Sequence, residues 1–243
     1  MVSAIEIRDL TKEFSLRRTR SMKEMVIWSL RGRGKELRSD FRALDRINLT
    51  VNEGETVALL GYNGSGKSTT LKLISGVYRP DDGTVMVRGR VAGLIEVGAG
   101  FHHDLTGREN VYLNGAILGM TEEEIDASYD DIVAFSEIEK FIDTEVKFYS
   151  SGMFLRLAFA VAVHSDPDIF LVDEILSVGD EPFRRKCLDR IRELKALGHT
   201  LVIVTHDLDM VKTIVDRGVV LRKGNIIFDG PIDDAVATLR AEG

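Results

Sequence analysis

The sequence has few of the features that point to secretion, membrane insertion or a disulfide framework. Cys187 is its single cysteine, which excludes an internal disulfide and fits a reducing compartment; we expect a small buried side chain on a helix. No apolar run approaches the roughly 20 residues that a membrane-spanning helix needs. Residues 1–6 have neither the basic start nor the apolar core of a signal peptide. We therefore expect a cytoplasmic protein.

Excess positive charge is also absent. The formal net charge is −7, which argues against nonspecific binding of nucleic acid. The chain has no internal repeat, low-complexity tract or long linker. Its composition, with 44% hydrophobic and 29% charged residues, is typical of a globular protein. At 243 residues, it is long enough for one large domain or for a core with an inserted subdomain.

The stretch with the clearest chemistry is residues 61–70, which read GYNGSGKSTT. It follows an apolar run at 56–60 that predicts a buried strand, and it leads into a predicted helix that opens at Lys67. Strand, glycine loop and helix form the context of the phosphate-binding pattern G-x-x-x-x-G-K-[ST]. The glycines allow several N–H groups to point at one anion, and the helix adds its positive end. This stretch therefore predicts a nucleoside triphosphate site, the alternative being a glycine-rich turn with a chance lysine.

Two side chains of this loop have distinct predicted roles. Lys67 is expected to reach the β- and γ-phosphates, and the Ser68 hydroxyl to ligate Mg²⁺. The remaining predicted nucleotide contacts of the loop are Gly61, Asn63, Gly64, Gly66 and Thr69.

Polar residues follow two further apolar runs. Asp173 and Glu174 end the run at 169–172, and His206 ends the run at 200–205. In a nucleotide-binding α/β fold, chemistry lies at the carboxyl ends of parallel strands. We predict that Asp173 holds Mg²⁺ through water, that Glu174 acts as the general base, and that His206 is functional. The alternatives are an acidic helix cap and a structural histidine.

Residues 15–42 form a basic stretch, with nine Lys or Arg side chains against three acids. Met22, Met25, Val26 and Leu30 fall on one face of a predicted helix, with Trp28 nearby. Such a helix suits an anionic membrane surface or an acidic partner. A solvated helix packed on the parent domain is an equally good interpretation.

The remaining patterns predict further strands and helices. Alternating or apolar runs predict strands at 4–8, 44–51, 84–87, 219–221 and 226–228. The pattern is helical from about 107 to 164, where we expect an inserted helical subdomain, and a last helix begins at Asp233. We expect residues 1–243 to form a single nucleotide-binding domain.

Residues 148–153 read FYSSGM and lead into Arg156. They resemble the signature motif of ATP-binding cassette (ABC) ATPases, and Met153 lies 20 residues before Asp173, as that family requires. The resemblance covers nearly the whole chain, through the following motifs in order: Phe14 as the adenine-stacking aromatic, the phosphate loop, the signature, Asp173-Glu174, residues 177–180 as the D-loop, and His206 as the switch histidine. Phe14 taken alone is better explained as a core or loop phenylalanine.

The resemblance implies an α/β fold, namely a P-loop ABC ATPase nucleotide-binding domain. It would have a RecA-like α/β core, N-terminal antiparallel β strands and an inserted α-helical subdomain. It also implies ATP and Mg²⁺ as ligands and a homodimer of ATPase subunits in the ATP-bound state. Ser150 and Gly152 of one subunit would then cap the γ-phosphate held by the other, and Asp180 would contact the nucleotide.

Departures from the ABC family pattern limit the resemblance to one group within that family. The usual signature L-S-G-G-Q is matched at Ser150 and Gly152 but not at Ser151 and Met153, and the chain has no glutamine to supply the usual Mg²⁺ contact. Glu96 is our candidate replacement as a metal ligand. With the basic stretch, these departures resemble the ATP-binding subunits of bacterial polysaccharide exporters, in the short form without a carbohydrate-binding domain.

That resemblance implies a peripheral protein at the cytoplasmic face of the cell membrane. Its partners would be a transmembrane permease subunit dimer and, through it, a lipid-linked glycan, with no nucleic acid. The rival interpretations are a soluble ABC-type ATPase that is not coupled to transport, a nucleotide-gated scaffold without turnover, and the ATP-binding subunit of an importer.

Overall fold

The computed structural model describes residues 2–17, 38–93, 100–173 and 180–242. The strands in these residues are β1 (Ser3–Arg17), β2 (Arg38–Asn52), β3 (Thr56–Leu60), β4 (Asp82–Val87), β5 (Val91–Gly93), β6 (Ile169–Asp173), β7 (Thr200–Val204), β8 (Arg217–Arg222) and β9 (Asn225–Pro231). The helices are α1 (Lys67–Ile74), α2 (Gly107–Ile117), α3 (Glu122–Ser136), α4 (Ser151–His164), α5 (Glu181–Ala196), α6 (Leu208–Lys212) and α7 (Ile232–Ala241), with 3₁₀ turns at Glu139–Phe141 and Val146–Phe148.

The strands form two sheets. A three-stranded sheet has the order β2-β1-β4 and is antiparallel throughout. A six-stranded sheet has the order β5-β6-β7-β3-β8-β9, in which only β9 runs antiparallel to its neighbour. In this parallel sheet, β3, β6 and β7 are nearly all buried because layers cover both faces. The two sheets confirm the predicted α/β core with N-terminal antiparallel strands.

Alternate residues of the parallel strands face two different cores. Val57 and Leu59 of β3 pack with the antiparallel sheet and α1. Ala58 and Leu60 pack on the other face, among residues of α4, α5 and α7. This alternation follows from the two-residue period of a strand, and it fixes the sheet between its two covering layers.

The helices predicted between 107 and 164 are present as α2, α3 and α4. They share a third cluster of buried residues that includes Val111, Ile132 and Leu157. Helices α2 and α3 each begin with a capping box, at Thr106 and Thr121, where the threonine side chain and a glutamate three residues later satisfy each other's backbone N–H groups. The assignment of this stretch as a subdomain stays a prediction.

The predicted basic helix at 15–42 is wrong at both of its ends. Strand β1 continues to Arg17 and β2 begins at Arg38, so the two ends of the stretch pair as an antiparallel ladder from Glu13↔Arg42 to Arg17↔Arg38. Cross-strand pairing explains why both strands extend into the stretch. The middle of the stretch, including Trp28, lies outside the described residues.

Two other features were predicted less completely, and one was found as predicted. Strand β1 was expected to end at Arg8, but it continues because both β2 and β4 pair with it. The three-residue strand β5 was not predicted. Cys187 is buried on α5, as expected.

Candidate functional site

The candidate site lies where three neighbouring parallel strands end. Strand β7 is hydrogen-bonded to β3 on one side and to β6 on the other, with Leu59 and Asp173 both paired to Val204. The phosphate loop follows β3, Asp173 ends β6, and His206 follows β7. The fold therefore brings the three sequence motifs to one edge of the sheet, as the strand pattern predicts.

The phosphate loop holds a conformation that requires glycine. Gly64 and Gly66 have φ of +77° and +114°, in the region that other residues rarely adopt. A side chain at Gly66 would place its first carbon 2.6 Å from Leu44 and 3.0 Å from the carbonyl oxygen of Ala43. Bonds at each side brace the loop: the Ser65 N–H donates to the Tyr62 carbonyl at 3.0 Å, and the Gly224 N–H donates to the Ser65 carbonyl at 2.9 Å.

The first turn of α1 fits an anion. Its N-cap residue is Gly66, which offers no side chain to bond the N–H groups, and the first turn holds no acidic residue. Residues 63–69 line a cavity of about 130 Å³. Because helix N–H groups and the dipole favour negative charge there, this donor set fits the phosphates of a nucleotide.

Lys67 is buried, and its amine lies over the loop. It donates to the carbonyl oxygens of Gly61 at 2.7 Å and Tyr62 at 3.3 Å. Ser68, the next residue, is exposed, as its predicted role as a metal ligand requires. The loop and the carboxylate of Asp173 together supply oxygen ligands of the kind that Mg²⁺ prefers.

The signature residues occupy the N-terminus of α4. Ser150 is the N-cap of this helix, and its hydroxyl oxygen accepts a hydrogen bond from the Met153 N–H at 3.2 Å. Among the described residues, a side chain at Gly152 would meet only the Ser150 hydroxyl, at 3.8 Å. Packing against the described part of the chain therefore does not explain the glycine. Phe148, two residues before the cap, is 70% exposed.

Asp180 caps α5 and binds the signature helix. Its carboxylate accepts from the Phe183 N–H at 3.3 Å and from the Arg156 guanidinium at 2.7 Å. Arg156 also donates to Glu137 at 2.6 Å and lies 4.7 Å from the centre of the Phe183 ring. The nucleotide contact predicted for Asp180 stays a prediction.

Several predicted site residues gain no further support from the structure. Phe14 lies on the β1–β2 ladder, where its ring packs edge-to-face on Tyr78 at 5.5 Å between centroids, and its role in adenine stacking stays a prediction. Glu96 and Glu174 lie outside the described residues. His206 is exposed beside Asp207, which caps α6.

Sequence reasoning missed Tyr62 and Arg156 as site residues. The phosphate-loop pattern allows any residue at position 62. The aromatic side chain of Tyr62 was therefore the one signal in the sequence that could have marked it. Arg156 appeared in the motif, but its bonds to Asp180 and Glu137 depend on tertiary contacts. None of the helices within the described ranges is long and apolar enough to cross a membrane.

Comparison with known proteins points to one family. A family model described as "ABC transporter" matches residues 44–177. An O-antigen export system ATP-binding protein of Myxococcus xanthus is 47% identical, over 98% of this chain and 56% of its own length. Another from Klebsiella pneumoniae is 42% identical over 89% of both chains. A teichoic acids export ATP-binding protein of Levilactobacillus brevis is 42% identical, over 97% of this chain and 64% of its own length.

The fold comparison agrees with the sequence comparison. A solved structure described as the ATP binding subunit of an ABC transporter superposes with a TM-score of 0.76 at 25% identity, covering 98% of this chain and 95% of that one. This chain spans little more than half the length of the Myxococcus relative. With the phosphate loop, Asp173 and His206 on one sheet edge and the signature at the start of α4, the chain belongs to the ABC transporter family.

Proposed function

We propose that this chain is the ATP-hydrolysing subunit of an ABC exporter that drives a lipid-linked polysaccharide across the cytoplasmic membrane. The observation that carries the proposal is the phosphate loop on one sheet edge with Asp173 and His206. The chain also shares 47% identity with an O-antigen export ATP-binding protein. We further propose that residues 1–243 form one nucleotide-binding domain with a helical subdomain at about 107–164.

In the proposed reaction, the first turn of α1 holds the phosphates of ATP through its backbone N–H groups. The Lys67 amine, which lies on the carbonyls of Gly61 and Tyr62, bonds the β- and γ-phosphates. Ser68 and Asp173 would hold Mg²⁺, with Glu96 as a further candidate ligand. When bound, the metal neutralises charge on the phosphate oxygens.

Glu174 is the proposed general base. A water oxygen attacks the γ-phosphorus, the water proton passes to the Glu174 carboxylate, and the bond to the bridging oxygen breaks to release ADP and phosphate. His206, exposed at the end of β7, would position the water or the γ-phosphate. Phe14 is the proposed contact of the adenine ring, and Asp180 is the proposed contact beside the phosphates.

Hydrolysis needs two copies of the chain, because the signature residues of one copy contact the nucleotide that is bound to the other copy. Ser150 and Gly152 lie at an exposed helix N-terminus where the glycine leaves room for close approach. The positive end of α4 would then meet the γ-phosphate of the partner's ATP. ATP therefore joins two surfaces of weak mutual affinity, and hydrolysis separates them.

The proposed partner is a dimer of transmembrane permease subunits that carries the lipid-linked glycan. The chain would lie at the cytoplasmic face of the membrane, attached through that partner. Relatives at over 40% identity are described as ATP-binding proteins of O-antigen export and of teichoic acids export, and this supports a glycan cargo.

An ATP hydrolysis assay with matched variants tests the proposed site. Lys67→Met and Glu174→Gln should each lower the rate by at least about 10²-fold, the size typical of losing a group that acts in the transition state. Glu174→Gln should still bind ATP. Lys72→Met is the control, because Lys72 lies at the other end of α1 over the Tyr78 ring. Hydrolysis at the wild-type rate by Lys67→Met would reject the proposed site.

A further inference from the structure

A cavity separates the phosphate loop from the C-terminal helix. It has a volume of about 230 Å³ and is lined by the outer side of the loop, by the β8–β9 hairpin and by the end of α7. Tyr62 is 51% exposed at this cavity, and its hydroxyl donates to the carbonyl oxygen of Leu239 at 3.2 Å. This bond connects the nucleotide loop to α7, 177 residues further along the chain.

The bond has a physical basis in the end of the helix. The last four carbonyl groups of an α-helix have no intrahelical donor. Leu239 lies in that last turn, and its carbonyl accepts from the Glu242 N–H at 3.2 Å as well as from Tyr62. Tyr62 therefore gives the Leu239 carbonyl a second donor, at the same distance as the Glu242 N–H.

The backbone of Tyr62 is held from the opposite side by Lys67. The Lys67 amine bonds the carbonyls of Gly61 and Tyr62, and the Ser65 N–H bonds the Tyr62 carbonyl. The amine has three N–H donors, so it can bond the phosphates of a nucleotide while it stays on the loop. Because the amine lies on the carbonyls of residues 61 and 62, its position depends on where this turn lies. The Gly224 bond to Ser65 and the Tyr62 bond to Leu239 fix the loop on its other sides.

We propose that Tyr62 is a positioning residue for nucleotide binding. It holds the phosphate loop, and with it the Lys67 amine, against α7, and it makes the last turn of α7 respond to nucleotide. The coupling is reciprocal, so a change at the end of α7 alters nucleotide affinity by the same factor. This inference rests on the proposed function only for the binding of nucleotide, not for transport.

The first test is a single-atom variant. Tyr62→Phe keeps the ring and removes the hydroxyl, so the fold is retained. The Kd for ATP and the KM should rise about fivefold, the size of one hydrogen bond, with kcat within twofold of wild type. Tyr129→Phe is the matched control, because its buried hydroxyl, in the helical cluster, has no hydrogen-bond partner among the described residues. An unchanged Kd in Tyr62→Phe would overturn the proposal.

Hydrogen exchange separates positioning from a merely structural role. ATP should slow exchange of the amides at the end of α7 in the wild type and in Tyr129→Phe, and this response should be absent in Tyr62→Phe. An equal response in Tyr62→Phe, or no response in a wild type that binds ATP, would reject the positioning role alone. A wild type that binds no ATP would reject the proposed function as well.

Discussion

Replacing Arg156 with methionine should lower the free energy of unfolding by about 2 kcal/mol. Arg156 forms ion pairs with Glu137 and Asp180, whose side chains are 49% and 60% exposed, so each pair contributes only about 0.5 kcal/mol. Its guanidinium also lies 4.7 Å from the centre of the buried Phe183 ring, a contact that contributes about 1 kcal/mol. For a chain of this length, the sum corresponds to a melting temperature lower by about 4–8 °C.

Thermal and denaturant unfolding measure this loss, with Arg185→Met as the control. Arg185 is 75% exposed and makes one ion pair with Glu181 along the same helix, at 3.2 Å. Its replacement should change the free energy of unfolding by less than about 0.5 kcal/mol. Equal stability of the Arg156 and Arg185 variants would refute the assignment of Arg156 as a link between α4 and α5.

A double-mutant cycle isolates the contact with Asp180. Asp180→Asn removes the charge but keeps a good N-cap for α5, because asparagine caps about as well as aspartate. The loss caused by Asp180→Asn should therefore be smaller by about 0.5 kcal/mol when Arg156 is already methionine. Additive losses would show that the two side chains do not interact.

Three further predictions concern single side chains. Ser150→Ala removes the cap of α4 and should cost about 1 kcal/mol in chemical unfolding, whereas Ser150→Asn should restore it; no loss in Ser150→Ala would contradict the observed cap. Burial raises the pKa of the Cys187 thiol to about 12, so iodoacetamide at pH 8 should label it only after unfolding; rapid labelling of the native protein would contradict its burial. Arg217→Lys loses the paired bonds to Asp229 and the bond to Glu55 and should lower stability by about 2 kcal/mol in the same assay; an unchanged midpoint would show that these bonds contribute nothing.

The sequence predicts the phosphate loop well because its signals are local. Strand β3 was predicted with its observed limits, and α1 begins at Lys67 as expected. Burial of a central parallel strand requires a continuous apolar run, and the tight loop requires glycine at positive φ. Each of these requirements constrains only a few consecutive residues.

The contacts that were missed join residues far apart in the chain. The pairing of β1 with β2 carries both strands into the basic stretch, which has a helical pattern when taken alone. The Tyr62 bond to Leu239 spans 177 residues. No local pattern encodes such contacts, since they depend on how the layers pack.

The most direct test of the proposed function is purification of the chain from membranes in mild detergent, followed by ATPase assays of the free and complexed protein. We predict recovery with a polytopic membrane protein, and hydrolysis by that complex at a rate that lipid-linked glycan increases. A monomer or homodimer that hydrolyses ATP at the same rate with no membrane partner would contradict the account.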